Sequence, residues 1–201
     1  MSVITRKYLA ETMKNLYNKK YLTVRDGNIS FKPKNCDYFY ITAGSVKKND
    51  MNEEQILKIK MTSKQDLIYC YKNNQNYKPS REINIHSFLQ MDKKYYDKDT
   101  FVVHVHPPNI LSYIGVNNCI ELNTIQDKFP EINAGKIGEN VKFFEAGTIE
   151  LADNCYKNLL NNDILGMERH GTLSIGEDMD KIIENIDTLE FYTNIVLKSN
   201  N

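Results

Sequence analysis

Apolar residues recur at helical spacing near the start of the chain, where Leu9, Met13, Leu16 and Tyr17 predict a helix over about Thr5 to Lys19. Two short runs of strand formers follow, Asn28 to Lys32 and Tyr38 to Thr42. They are separated by Pro33-Lys34-Asn35 and preceded by the turn signal Asp26-Gly27-Asn28, which reads as a hairpin-like pair. Ile56 to Met61 and Asp66 to Tyr71 read as further strands. Pro79-Ser80 then places a capping serine before a helix over Arg81 to Lys93, with Ile85, Phe88 and Leu89 toward a core. Thr100 to Val105 has the pattern of a buried strand stopped by Pro107-Pro108, and Val141 to Phe144 resembles another strand. A helix over Ile149 to Leu160, a short strand at Ile164 to Met167 and a closing helix over Asp178 to Leu197 complete the pattern; Ile182, Ile183, Ile186, Leu189 and Ile195 give the last helix its apolar face. Helices and strands alternate without a linker, which predicts one α/β or α+β domain over residues 1–201, with a largely antiparallel central sheet and helices on its faces.

Composition narrows the setting. A chain of 201 residues, 41% of them hydrophobic, is long enough for a core of its own. The formal net charge is zero and no basic block stands out, so neither nucleic acid nor a membrane surface is an expected partner. No stretch approaches the ~20 apolar residues of a membrane span, and the first twenty residues are too polar for a signal peptide, so the expected location is cytoplasmic. Cys36, Cys70, Cys119 and Cys155 form no Cys-x-x-Cys pair, which excludes a zinc ribbon and reads as free buried thiols.

The chemistry lies in the histidines. All four fall in three short segments: Glu82-Ile83-Asn84-Ile85-His86, His104-Val105-His106-Pro107-Pro108 and Arg169-His170-Gly171. In a strand, residues i and i+2 project to one face roughly 6.6 Å apart, so His104 and His106 can converge on one ion held at about 2.0–2.1 Å. His170 follows the Ile164 to Met167 run, at a strand end from which it can reach the same ion. Glu82 and His86 lie four apart on the predicted helix and share a face. A carboxylate there can bind a metal or act as a base, whereas His86 reads as a packing or supporting residue. Three turn segments, Gly27-Asn28-Ile29-Ser30, Thr42-Ala43-Gly44-Ser45 and Pro79-Ser80-Arg81, offer backbone N–H groups and hydroxyls to an anion, or simply make turns and a helix cap.

In this order the motifs resemble the class II aldolase/adducin family, which includes the fuculose-phosphate aldolases. The resemblance runs from the opening helix to the closing one, through Gly27-Asn28-Ile29-Ser30, Ile41-Thr42-Ala43-Gly44-Ser45, Pro79-Ser80-Arg81-Glu82-Ile83-Asn84-Ile85-His86, His104-Val105-His106 and Arg169-His170-Gly171. It implies a three-layer α/β/α sandwich around an antiparallel sheet, commonly a homotetramer. It also implies zinc, or another divalent ion such as manganese or cobalt, on His104, His106 and His170, with Glu82 as the catalytic acid/base group. Substrate phosphate is expected near Gly27, Asn28, Thr42, Gly44, Ser45, Ser80 and Arg81.

The reaction implied is retro-aldol cleavage of a small phosphorylated sugar, a ketose 1-phosphate, through an enediolate. A methylthioribulose-1-phosphate dehydratase and a non-catalytic adducin-like scaffold are the alternatives. The epimerase branch of the family carries Asp where this chain has Glu82. Three departures from the family pattern stand out. The family's Thr/Ser-Gly turn appears here in reverse, as Gly44-Ser45, and Arg81 replaces a serine. No tyrosine occurs between Asn117 and Lys142, where the fuculose-phosphate enzymes carry one for proton delivery.

Overall fold

A computed structural model describes residues 5–62, 67–69, 76–115 and 119–199. Its seven strands form one sheet: β1 (Asn28–Lys32), β2 (Tyr38–Thr42), β3 (Ile56–Met61), β4 (Leu67–Tyr69), β5 (Thr100–Val105), β6 (Ile164–Met167) and β7 (Gly171–Gly176). The order is β4-β3-β2-β1-β5-β7-β6, and every pairing is antiparallel. The central pair is β1 with β5. It sets Asn28 directly opposite His104 and stacks Phe31 on Phe101 at 4.7 Å.

Alternation along β5 divides the core in two. Val102 faces a cluster with Ile85, Phe88 and Leu89 of α2 (Ile83–Gln90) and with Leu151, Cys155 and Leu159 of α5 (Ile149–Leu159). Phe101, Val103 and Val105 face the other side. There they meet Leu9, Met13 and Leu16 of α1 (Arg6–Asn18), Ile110 and Ile114 of α3 (Pro108–Gly115), and Ile182, Ile186 and Leu189 of α6 (Met179–Ser199). Ile125 of the short α4 (Thr124–Lys128) joins this second side, so helices cover both faces and give the expected three layers.

The caps explain several boundaries. Thr5 accepts the Tyr8 N–H ahead of α1, and Thr148 accepts the Leu151 N–H ahead of α5. Helix α2 begins two residues later than its sequence suggests: Ser80 Oγ accepts the Glu82 N–H at 3.3 Å, and Glu82 itself occupies the cap position. Helix α3 is absent from the sequence reading. Pro108 stands at its first position, where a missing N–H is harmless, so the proline pair opens a helix as well as ending β5. Glu190 of α6 reaches across to that helix start and accepts the N–H groups of Asn109 and Ile110 at 2.9–3.1 Å.

Val141 to Phe144 is not a strand. Val141 forms a single parallel bridge to Met167, and Phe143 beyond it is 57% exposed, so no ladder continues. Strand β7, with Leu173 and Ser174 alternating between faces, also went unread in the sequence. Of the segment Asp66 to Tyr71, residues 66, 70 and 71 lie outside the described residues, as does Cys70. Among the other thiols only Cys155 is buried; Cys36 and Cys119 are half-buried, a correction to the uniform burial expected.

Candidate metal centre and anion cradle

Four segments distant in sequence meet at one end of the β1–β5 pair. His104 is the last residue but one of β5, His106 follows the strand, and His170 lies in the turn joining β6 to β7. Their ligand nitrogens all fall within 4.8 Å of one another. Arg169, at φ +58°, and the hydrogen bond from His170 N–H to Met167 C=O at 3.0 Å shape that turn. Gly171 closes it at φ +151°. A Cβ there would lie 2.4 Å from the Val105 carbonyl oxygen and 2.5 Å from His106 Cδ2, so only glycine lets this turn approach β5.

The imidazoles are oriented from behind. His104 Nδ1–H donates to the Thr172 carbonyl at 2.9 Å, which leaves the Nε2 lone pair facing the cluster. His106 Nδ1 lies 3.3 Å from Asp26 Oδ2, and its Nε2 lies 2.9 Å from His104 Nε2. Two imidazole lone pairs at that separation repel unless a cation lies between or beside them. Burial pushes His104 down to about 3, against the pull of Glu82, which keeps it a neutral donor. Burial would raise the Asp26 carboxyl, but its bonds to His106 and Thr23 outweigh that and bring it to about 2.

Glu82 completes the group. Its carboxylate is 3.3 Å from His104 Nε2 through Oε2 and 2.7 Å from His170 Nε2 through Oε1. The second approach lacks hydrogen-bond alignment, so among the described residues the buried Oε1 has no donor. Burial alone would raise this carboxyl; the surrounding His104 and His170 and the Asn28 amide reverse that and hold it below the usual carboxylate range. Three converging imidazole nitrogens beside an orphaned, ionised carboxylate oxygen are a donor set that fits a divalent metal ion.

A hydrogen-bonded relay runs behind Glu82. Asn28 Nδ2 donates to Glu82 Oε2 at 2.8 Å, and its Oδ1 accepts from His86 Nε2 at 2.5 Å. Ser30 Oγ meets His86 Nδ1 at 2.7 Å and accepts from Gln90 Nε2 at 2.9 Å. The bond to Asn28 Oδ1 requires a proton on His86 Nε2, and burial, which pushes the pKa down to about 4, leaves Nδ1 unprotonated to accept from the Ser30 hydroxyl. His86 therefore supports Asn28 and does not face the three-histidine cluster.

A cavity of about 930 Å³ opens over this cluster. Glu82, His104, His106 and His170 line it, as do Gly27, Asn28, Gly44, Ser45, Ser80 and Arg81. Thr42 does not: it is fully buried, and its Oγ1 accepts the Ile29 N–H at 3.3 Å from behind the wall. The reversed Gly44-Ser45 pair has a steric cause. Gly44 N–H donates to the Lys78 carbonyl at 2.9 Å, and a Cβ on Gly44 would sit 2.9 Å from the Pro79 carbonyl oxygen, so glycine is needed at the first of the two positions. Ser45 is left to adopt φ +58°. The wall also contains Arg25, Asp26, Lys48, Tyr77 and Lys78, none of which sequence reasoning singled out. Asp26 was readable only as part of a turn.

A family model described as the class II aldolase and adducin N-terminal domain matches residues 7–197. The chain belongs to this family. An L-fuculose phosphate aldolase of Methanococcus vannielii is 30% identical over 175 residues, covering 87% of this chain and 86% of that protein. One from Methanocaldococcus jannaschii is 26% identical over 192 residues, covering 96% and 95%. Among solved structures, a sugar-phosphate aldolase from Thermotoga maritima superposes with a TM-score of 0.79 at 20% identity, covering 96% of this chain and 93% of that one. As a class II aldolase family member with a three-layer antiparallel fold, the chain shares its overall architecture with that enzyme. No helix among the described residues is long and apolar enough to cross a membrane.

Proposed function

We propose that this protein is a metal-dependent lyase that cleaves a small phosphorylated sugar, a ketose 1-phosphate, by a retro-aldol reaction. The observation that carries the reading is the buried Glu82 Oε1 without a donor, set among His104, His106 and His170 at the base of a cavity about 930 Å³ in volume. Those imidazoles would hold zinc, manganese or cobalt. When bound, such an ion supplies electrophilic polarisation of the substrate carbonyl and stabilises charge on its oxygen.

As the C–C bond breaks, its electron pair passes to the carbon adjacent to that carbonyl, to which Glu82 relays a proton, while the hydroxyl that becomes the aldehyde gives up its own. Asn28 keeps the carboxylate aimed by donating to Oε2, and the buried relay through His86 keeps the amide from flipping. The phosphate is held by the turns at Gly27-Asn28, Gly44-Ser45 and Ser80-Arg81, with the Arg81 guanidinium adding charge. Tyr77, half-buried in the cavity wall, is the phenol this chain offers where the tyrosine between residues 117 and 142 is missing. The protein is expected to act in the cytoplasm as a homotetramer, and light scattering at micromolar concentration checks the assembly: a fully active monomer refutes it.

The test of the reaction is incubation of the metal-loaded protein with a panel of ketose 1-phosphates, including a methylthioribulose phosphate, with products followed by mass spectrometry. Release of dihydroxyacetone phosphate and an aldehyde supports the lyase. Loss of water supports the dehydratase. No turnover across the panel, with metal bound and the oligomer intact, favours the adducin-like scaffold.

A further inference from the structure

Two lysines, Lys32 and Lys48, are each only 1% exposed, and they are satisfied very differently. Lys32 Nζ has three carbonyl acceptors, those of Tyr95 at 2.7 Å, Lys98 at 3.3 Å and Tyr96 at 3.4 Å, so its three N–H groups are used. Among the described residues Lys48 Nζ has one, the Ala43 carbonyl at 3.1 Å. The Asp26 carboxylate acts on it electrostatically, but that carboxylate is engaged by Thr23 at 2.6–2.7 Å and by His106 at 3.3 Å. Lys32 lies away from the cavity, whereas Lys48 forms part of its wall. A buried ammonium with spare donors and no dedicated counter-charge is unfavourable unless an anion comes to it.

The adjoining turn is prepared for the same anion. Its two outer carbonyls are drawn off by cations: Ala43 C=O accepts from Lys48, and Ser45 C=O accepts from Arg25 Nη1. The N–H groups of Ala43 and Gly44 are used by Gln55 and Lys78 at 2.7 and 2.9 Å. Those of Ser45 and Val46 have no acceptor among the described residues, and Ser45 at φ +58° gives the turn the left-handed step of an anion-binding nest.

We propose that Lys48 determines specificity for a dianionic phosphate ester: the Ser45 and Val46 N–H groups bind its oxygens while the Lys48 ammonium supplies the counter-charge from beneath and Arg25 holds the turn in place. This rests on the reading of the cavity as a phosphate-ester site and adds to it the residue that recognises charge. Burial brings Lys48 down to about 8, which leaves it mainly charged at neutral pH.

Titration calorimetry with inorganic phosphate tests it on the wild-type protein and on K48Q and K48R. K48Q keeps a donor for the Ala43 carbonyl and loses the charge. Phosphate binding is expected to weaken about 10–100-fold in K48Q and only a few-fold in K48R, with metal content and circular dichroism unchanged. Equal binding by a folded K48Q overturns the role of Lys48 while leaving the phosphate-ester reading intact. Failure of the wild-type protein itself to bind phosphate overturns both. Should K48Q not fold, a wild-type crystal grown in phosphate decides: density within hydrogen-bond distance of Lys48 Nζ and the Ser45 and Val46 amides supports the assignment, and phosphate elsewhere in the cavity refutes it.

Discussion

Asn28 and Glu82, 54 residues apart, are joined by a buried hydrogen bond of 2.8 Å between the Asn28 amide and one carboxylate oxygen. The amide is not free to turn over, because its other end accepts from His86 at 2.5 Å. One carboxylate oxygen of Glu82 is thereby fixed and the other, Oε1, is left to the cavity. Asn28 is also the cross-strand partner of His104, so the same residue sets the carboxylate and the first imidazole relative to each other.

The first prediction concerns that carboxylate. Glu82→Gln is expected to keep the fold and most of the metal while lowering turnover by roughly 10²–10⁴. Steady-state rates on the substrate identified from the ketose 1-phosphate panel, with metal content measured in parallel, check it. Turnover close to wild type removes Glu82 from the chemistry.

Metal analysis gives the second. Protein purified without added metal is expected to carry about one divalent ion per chain, and His104→Ala to carry almost none. Asp26→Asn, which leaves the three histidines in place and removes the charge behind His106 along with part of the Thr23 contact, is expected to weaken affinity about 10–100-fold in a chelator competition. Unchanged affinity in that variant means that Asp26 does not orient the imidazole.

Stability should depend on pH through His86. Its pKa is about 4 in the folded protein against 6.5 for the free side chain, so the unfolded chain binds the extra proton between those values. The contribution is complete above about pH 6.5 and is lost as the pH falls toward 4, on the order of 3 kcal/mol in all. His104, brought down to about 3, acts in the same sense. Urea denaturation of the metal-free protein across pH 4–7 is expected to give a shallower dependence for His86→Gln than for wild type; parallel curves would show that His86 does not titrate on unfolding.

Glu190→Ala is expected to destabilise the protein by about 1–3 kcal/mol, because it leaves the Asn109 and Ile110 N–H groups at the start of α3 without acceptors. Chemical denaturation measures it, and a loss below about 0.5 kcal/mol shows that water replaces the carboxylate.

Much of this architecture was legible because it depends on local pattern. Leu9, Met13 and Leu16 repeat at helical spacing, Thr100 to Val105 is an unbroken strand, and the histidine segments carry ligand types at chelating separations. What escaped depends on context. Pro108 reads as a stop and serves as a helix start. Thr172 to Ile175 alternates correctly for a strand but directly follows the His170-Gly171 turn, so its short run carries no separate boundary signal. Val141 has strand chemistry and a partner for one residue alone. In the site, Asp26 and Lys48 carry letters that ordinarily mean a turn and a solvated surface. Only the three-dimensional approach of Asp26 to His106 and of Lys48 to the Ala43 carbonyl distinguishes them.

The β1–β5 pairing at the centre of the sheet has a consequence for how the protein matures. It joins a meander built from the earlier part of the chain, β1 to β4, to a later group, β5 to β7. Asn28 and Glu82 precede β5 in the sequence, whereas His104, His106 and His170 lie in it or after it. A nascent chain therefore presents the carboxylate and amide before any imidazole of the centre, and the set closes only when residues far apart in sequence have docked, a slow class of contact. Any ion held by the three imidazoles can therefore bind only once both groups of strands have docked, and a chain that stops short of His170 lacks one of the donors.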